Sequence, residues 1–329
     1  MESRRRALFG LAASAALPLL APAARAQAWP SRPISMIVPA SAGGPTDAIG
    51  RVLAEAMGAR LGQTVLIDNV AGAGGSIGVG KVARAAPDGY TLGIGQWSHY
   101  VLNGATYALQ YDLLKDFAPI ALLANGPLLL VVRKTLPVNN LKELIAWLKA
   151  NADKASAGTG GIGAPGHISG IFFQKMTDTH FAFVPYRGTA PALRDLMAGQ
   201  IDLMIDQASN VVPQIQAGTI KAFAVLSASR LPSTPDVPTV DEAGLPGFHV
   251  SIWQGVWAPK GTPKEIIAKL NAAIAGALAD PTVQKRLADI GQELPTKEQM
   301  TPEGFGAFHK AEMEKWTPII KAANIKPEG

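Results

Sequence analysis

Three glycine-rich stretches of this 329-residue chain have the spacing of catalytic or cofactor-binding motifs. Gly74-Gly75-Ser76-Ile77-Gly78 has the G-x-S-x-G form of a nucleophile elbow, which makes Ser76 a candidate for a secreted serine esterase. That chemistry also needs a later acid and a histidine, and the histidines at 99, 167, 180, 249 and 309 offer no obvious partner. Gly75 to Lys81 reads G-x-x-x-x-G-K, but Val82 replaces the hydroxyl that would hold Mg²⁺, and Gly80 and Lys81 fall inside an expected helix. Gly158, Gly160 and Gly163 fit a dinucleotide fingerprint with Asp178 beyond them. Residues 152–157 do not read as an apolar strand, and Asp178 follows the helix directly, so the match is weak. No two histidines stand at i, i+4, and cysteine is absent, so no metal site, disulfide, cysteine nucleophile or cofactor is expected.

The same loops suit another task. Ser41-Ala42-Gly43-Gly44-Pro45-Thr46-Asp47, Ala71 to Ser76, Gly160 to Gly166 and Gly188-Thr189 each place small residues before a helix start. Exposed N–H groups at helix N-termini favour anions, and glycine lets a ligand approach the backbone. Any one such loop could simply be a tight turn; their recurrence in both halves points to a small anionic ligand. Asp47 suits a first helical turn. Asp206, at the end of the expected strand Ile201–Ile205, would repel an anion directly but could order waters or meet an ammonium group. Ser98, Ser209 and Asn210 are neutral groups at comparable strand ends. His167 starts a helix in a Gly-rich loop, and Trp97 and Tyr100 could wall a ligand, although such aromatics are more often core.

Apolar β-branched runs alternating with helical patterns position these loops, as parallel α/β units do. Expected strands are 34–38, 64–67, 91–94, 128–132, 181–185, 201–205, 220–226 and 251–257. Expected helices follow the first two strands and cover 141–149, 191–197, 263–278, 281–290 and 305–322. Too little strand follows residue 250 for a third sheet. The economical arrangement crosses to a second lobe near 126 and returns near 250, leaving a hinge and a cleft.

Residues 1–26 read as a secretory leader: Arg4-Arg5-Arg6, a short apolar run from Leu8 to Leu20, and Ala24-Arg25-Ala26 before Gln27. The paired arginines leave Sec and Tat export both open. Without that leader, 26 Lys+Arg face 24 Asp+Glu, a net of +2 instead of +5, and most of the case for nucleic-acid binding goes with it. The leader's apolar run is too short to span a bilayer, and no later stretch reaches the length required.

In order along the mature chain, Trp29-Pro30-Ser31-Arg32-Pro33-Ile34, Gly43-Gly44-Pro45-Thr46-Asp47, Gly72-Ala73-Gly74-Gly75 and Ala86-Pro87-Asp88-Gly89-Tyr90-Thr91-Leu92 carry a resemblance. So do Asp116-Phe117-Ala118-Pro119-Ile120, Val184-Pro185-Tyr186-Arg187-Gly188, Pro235-Asp236-Val237-Pro238-Thr239, Trp253 and Ala258 to Pro263. Together they resemble the tripartite tricarboxylate transporter receptors, or Bug proteins. Three stretches depart from the pattern: Val70-Ala71, Ala40-Ser41-Ala42 and Gly161 to Pro165. The resemblance implies a two-lobed α/β fold of the periplasmic-binding-protein type II kind, each lobe a mostly parallel sheet flanked by helices. Lobe 1 would be 27–125 plus 250–329, and lobe 2 would be 126–249. It implies a monomeric periplasmic receptor, without catalysis, that delivers a small organic carboxylate to two membrane subunits of a transporter. The same binding physics would serve a sensor partner of a membrane kinase. The resemblance implies ligand contacts at Ser41, Ala42, Gly43, Gly44, Thr46, Asp47, Gly160, Gly163, His167 and Asp206, and Trp97, Ser98, Tyr186 and Ser209 complete the expected ligand-binding set.

Overall fold

The computed structural model describes residues 29–186 and 189–322. The expected leader at 1–26, and Arg187-Gly188, lie outside the described residues.

Alternation of short apolar runs with helical spacing produces β1 (Ile34–Val38), α1 (Pro45–Leu61), β2 (Val65–Asn69), α2 (Ser76–Ala83) and β3 (Thr91–Gln96). A π-turn at Ser98–Leu102 leads into α3 (Asn103–Thr106) and then β4 (Phe117–Arg133). The chain continues through α4 (Leu141–Ala150), β5 (Ser156–Thr159), α5 (Pro165–Thr177), β6 (Ala182–Pro185) and α6 (Thr189–Ala198). After β7 (Leu203–Gln207), α7 (Ala208–Gln216), β8 (Ile220–Val225) and β9 (Ser251–Pro259), it closes with α8 (Lys264–Leu278), α9 (Pro281–Asp289) and α10 (Pro302–Ala322).

β4 belongs to both halves. From Phe117 to Pro127 it pairs antiparallel with β9, and from Leu128 onward it pairs antiparallel with β7 and β8. The first half is thus ordered β2-β1-β3-β9-β4 and the second β8-β4-β7-β5-β6. Each contains three mutually parallel strands, β2-β1-β3 and β7-β5-β6, with antiparallel neighbours toward β4. The return passage lies beside the outward one: Leu128 N–H donates to Val250 O (3.3 Å), and Val250 N–H donates to Leu226 O (2.9 Å).

Register fixes where the loops go. Gln96 at the end of β3 pairs with Gln254, which pairs with Ala124; Gln207 at the end of β7 pairs with Leu128. The parallel strands of the two halves therefore aim their carboxyl ends at the crossing from opposite sides. In open α/β sheets those ends are where ligands bind.

Burial holds this arrangement. α1 and α8 cover the first sheet through Ile49, Leu53, Met57, Leu270 and Ile274, packed against Ile34, Met36 and Val38. α10 ties the halves together. Trp316 lies edge-on to Trp97 of the first half and Phe172 of the second, each at 5.3 Å between centroids, and Lys315 Nζ donates to His249 O at 2.7 Å. The half-buried Glu312 carboxylate accepts both the Trp253 and Trp316 indole N–H groups (2.9 and 3.1 Å).

Three elements differ from expectation. A strand does run into the Gly158 motif: β5 is four small residues, paired on both sides, with Gly158 packed closely against Ile201 and Ala192. The dinucleotide reading still fails, because Asp178 caps α5 at φ +50° and does not end β6. The strand at 128–132 extends back to Phe117, through Pro119 at a register shift and Pro127 where pairing changes partner. α7 also forms where no helix was expected, with Pro213 inside it.

Candidate functional site

The first-half cradle begins where β1 ends. Gly44 caps α1 without a side-chain acceptor, Pro45 occupies the first turn, and Gly43 adopts φ +83°. Asp47 is 2% exposed, and its carboxylate ties the loop together. One oxygen accepts Gly43 N–H (2.8 Å) and Arg51 Nε (2.9 Å), the other Asn69 Nδ2 (3.1 Å). These partners, Arg51 first, hold its pKa below the usual carboxylate value. The Gly43 amide is therefore spent on Asp47. The N–H groups of Thr46 and Asp47, in the first turn, have no protein acceptor among the described residues. Ser41, Ala42 and Gly43 are exposed beside them.

The Ser76 elbow is not assembled as a hydrolase. Among the described residues no histidine is hydrogen-bonded to Ser76, whose main-chain oxygen takes the Tyr111 hydroxyl at 2.9 Å. His99 lies against Gly75, but its Nδ1 accepts Gln96 N–H (3.2 Å) and burial lowers its pKa to about 4. Its role is to wedge the loop: a Cβ on Gly75 would stand 2.6 Å from the ring.

At the end of β3, Ser98 is half-buried and accepts Gln96 Nε2 at 3.0 Å. Trp97 is 2% exposed against Trp316, its indole N–H without a partner among the described residues. Tyr100 is a core residue, stacked on Trp257 at 3.5 Å.

In the second half, Gly163 takes φ +78° and donates its N–H to His167 Nδ1 at 3.1 Å. That bond places the ring proton on Nε2. Partial burial lowers the His167 pKa, so the ring is a neutral donor, edge-on to Phe183 at 4.6 Å. Gly160 and Gly163 are half-buried. Gly166 sits so close to Ile205 O that no side chain fits, and this sets the start of α5 directly over the end of β7. The Gly166 and His167 N–H groups have no protein acceptor among the described residues.

Asp206 is 4% exposed; its carboxyl accepts Gln207 N–H (2.8 Å) and the Asn210 amide (3.2 Å). Desolvation outweighs these bonds and raises its pKa to about 6. The Tyr186 hydroxyl is turned to α6, donating to Asp195 at 2.6 Å; burial and Asp195 raise its pKa to about 12. Ser209 is exposed and faces Gly291 of the first half.

Register thus puts the 41–47, 97–98, 160–167 and 206–209 groups at facing strand ends. Among the described residues no hydrogen bond joins the 41–47 loop to residues 160–167 or Asp206. Arg51 and Asn69, which organise the first loop, were not expected. The i, i+4 spacing of Asp47 and Arg51 was the available signal.

Two α/β halves joined through one shared strand, with helix N-termini at facing ends, form the architecture of a solute-binding protein. Residues 49–325 match the family described as the tripartite tricarboxylate transporter family receptor. The chain is similar to the periplasmic binding protein BugD, at 42% identity and a TM-score of 0.71, covering 91% of this chain and all of that one. It is also similar to MatC from Rhodopseudomonas palustris with bound malate (39%, TM-score 0.71, 89% of this chain and 100% of that one). A second R. palustris protein, solved with adipate, matches at 36% and a TM-score of 0.74 over 91% of this chain and 100% of that one. The chain belongs to the tripartite tricarboxylate transporter receptor family. It is a periplasmic solute-binding receptor and not an enzyme.

Proposed function

We propose that this receptor captures a small dicarboxylate between its halves and delivers it, as a monomer, to two membrane subunits of a tripartite secondary transporter. One carboxylate is met by the first-turn amides of α1, the other by those of α5 and the Nε2–H of His167. The observation that carries this reading is the pair of helix N-termini with unspent N–H groups at facing strand ends, where partial positive charge favours an anion. The malate and adipate of the R. palustris relatives support the ligand class. On this reading the lobes are 27–125 plus 250–329 and 126–249, and closure brings the two cradles together. Asp206 faces the ligand through waters or as its neutral acid.

The test is a thermal-shift screen of the purified protein with malate, adipate, citrate, benzoate and glutamate. A ligand at 100 times its Kd stabilises by about 2.7 kcal/mol, which for a domain of about 150–250 residues raises Tm by roughly 5–11 °C. If none of these acids moves Tm, the reading fails.

A further inference from the structure

The two faces of the sheet are packed differently where the halves meet. Side chains alternate along β4, so that Leu128 and Leu130 enter one core while Leu129 and Val131 enter another. The first of these cores runs unbroken through both halves: Trp97 and Leu122 of the first half, Phe173 and Phe248 of the second, and Trp316 of α10 all belong to it. On the opposite face the apolar packing is divided. Val283 and Leu287 of α9 join a core confined to the first half, whereas Val211 of α7 and Leu231 join one confined to the second. Between these two cores lies a cavity of about 900 Å³, walled by α7 and residues 229–233 on one side and by α9 and residues 291–294 on the other.

The polar contacts follow the same division. On the α10 face, Lys315 Nζ donates to His249 O (2.7 Å) and lies 5.3 Å from the centre of the Phe172 ring, against which Trp316 packs edge-on. Across the cavity, no hydrogen bond or ion pair among the described residues joins 208–213 or 229–233 to 284–294. The long polar side chains there bond within their own halves: Arg230 to Glu242 (2.8 Å), Gln284 to Leu278 O (2.9 Å) and Lys285 to Asp289 (2.8 Å). The walls approach each other at Gly291, beside the segment bridged to β4, where an added Cβ would stand 3.3 Å from Ser209 N.

We infer that the continuous core on the α10 face is the pivot of this receptor, and that the cavity is the clearance into which α7 and α9 approach when ligand is held, so that bulk placed there holds the receptor open. A close-packed core resists deformation, whereas two separate cores with open space between them can approach without either being repacked. This rests on the reading that the halves close on a carboxylate. Beyond that reading it says which face moves, and it gives residues outside the carboxylate cradle control over affinity.

The chain has no cysteine, so spin labels can be attached at chosen pairs of introduced cysteines. Ser233→Cys with Ala288→Cys spans the cavity, and Lys175→Cys with Ala311→Cys spans α5 and α10 on the other face; all four positions are exposed. Without ligand, the cavity pair should give the broader distribution of distances. With malate or adipate, whichever raises Tm, the cavity pair should shorten while the α5–α10 pair stays as it was. Ser233→Trp and Ala288→Trp, one from each wall, should each leave the ligand-free Tm unchanged and weaken that ligand by about tenfold, equal to about 1.4 kcal/mol. The pivot is overturned if ligand leaves the cavity pair unmoved or lengthens it, if the α5–α10 pair moves as much, or if both tryptophan variants bind with wild-type affinity. Should no acid bind, the carboxylate reading fails by itself, and the ligand-free distributions decide the pivot: equal widths for the two pairs overturn it.

Discussion

Replacing Asp206 by asparagine should make the unliganded protein more stable at neutral pH, and the gain should vanish in acid. Asp206 is buried at the end of β7 with a pKa of about 6, against about 3.9 for a free aspartate. Such a group binds its proton more tightly in the folded chain than in the unfolded one. Its contribution is fully present below about pH 3.9 and is lost as pH rises through about 6. At about 1.4 kcal/mol per pKa unit, the ionised carboxyl costs the fold roughly 3 kcal/mol at pH 7.5. Asparagine keeps an acceptor for Gln207 N–H but turns an amide toward Asn210, so the net gain expected is about 1–3 kcal/mol. Urea unfolding of both proteins at pH 4.5, 6 and 7.5 gives the difference directly. That difference matters because buried histidines move the wild-type curve in the opposite sense. A gap between the two proteins that stays constant across this range, or a variant less stable at pH 7.5, would refute the reasoning. A carboxyl kept at such a cost is expected of a binding position and not of a packing one.

His99 and His309 are buried with pKa values near 4, both chiefly through desolvation, so each withholds a proton that the unfolded chain accepts below about pH 6.5. Their stabilisation is present above that pH and is lost as it falls toward 4. His309→Gln should accordingly flatten the acid limb of a melting-temperature profile, and an unchanged limb would remove His309 as a cause. Gly75→Ala combines φ +88° with a Cβ 2.6 Å from His99 and 2.7 Å from Pro39 O, and should cost about 2–4 kcal/mol in a denaturant titration. A loss below about 0.5 kcal/mol would show that the loop yields. His167→Phe preserves the edge contact with Phe183 but removes the Nε2–H, and should weaken a carboxylate ligand by about tenfold in calorimetry. Unaltered affinity would take His167 out of the cradle.

The regular α/β units were legible because periodicity and burial coincide there. β1 matches its expected bounds, and α4 differs from its own by one residue. Sequence reasoning failed where backbone geometry overrides residue type. β4 carries two prolines, which normally argue against a central strand, yet Pro119 falls at a register shift and Pro127 where pairing changes partner. β5 is Ser-Ala-Gly-Thr, with almost no β-propensity; it is a strand because β6 and β7 hold it from both sides. At the candidate site, residue types gave the glycine loops, His167 and Asp206. They could not say which amides would be consumed internally. Gly43 and Gly163 both spend their N–H groups on a side chain four residues ahead. On the proposed reading, the first helical turns are left to do the holding.

The route of β4 and β9 also sets the order in which this molecule can be completed. β3 finds one of its two neighbours only in β9, some 160 residues further along, and β9 in turn joins β3 to β4. As the chain emerges from its N-terminus, β1, β2 and β3 wait with an open edge while the whole second half is made. The last strand to arrive is the one that seals the first sheet. Such long-range closure slows folding, and it leaves the early part of the polypeptide unlocked until residue 259 is available.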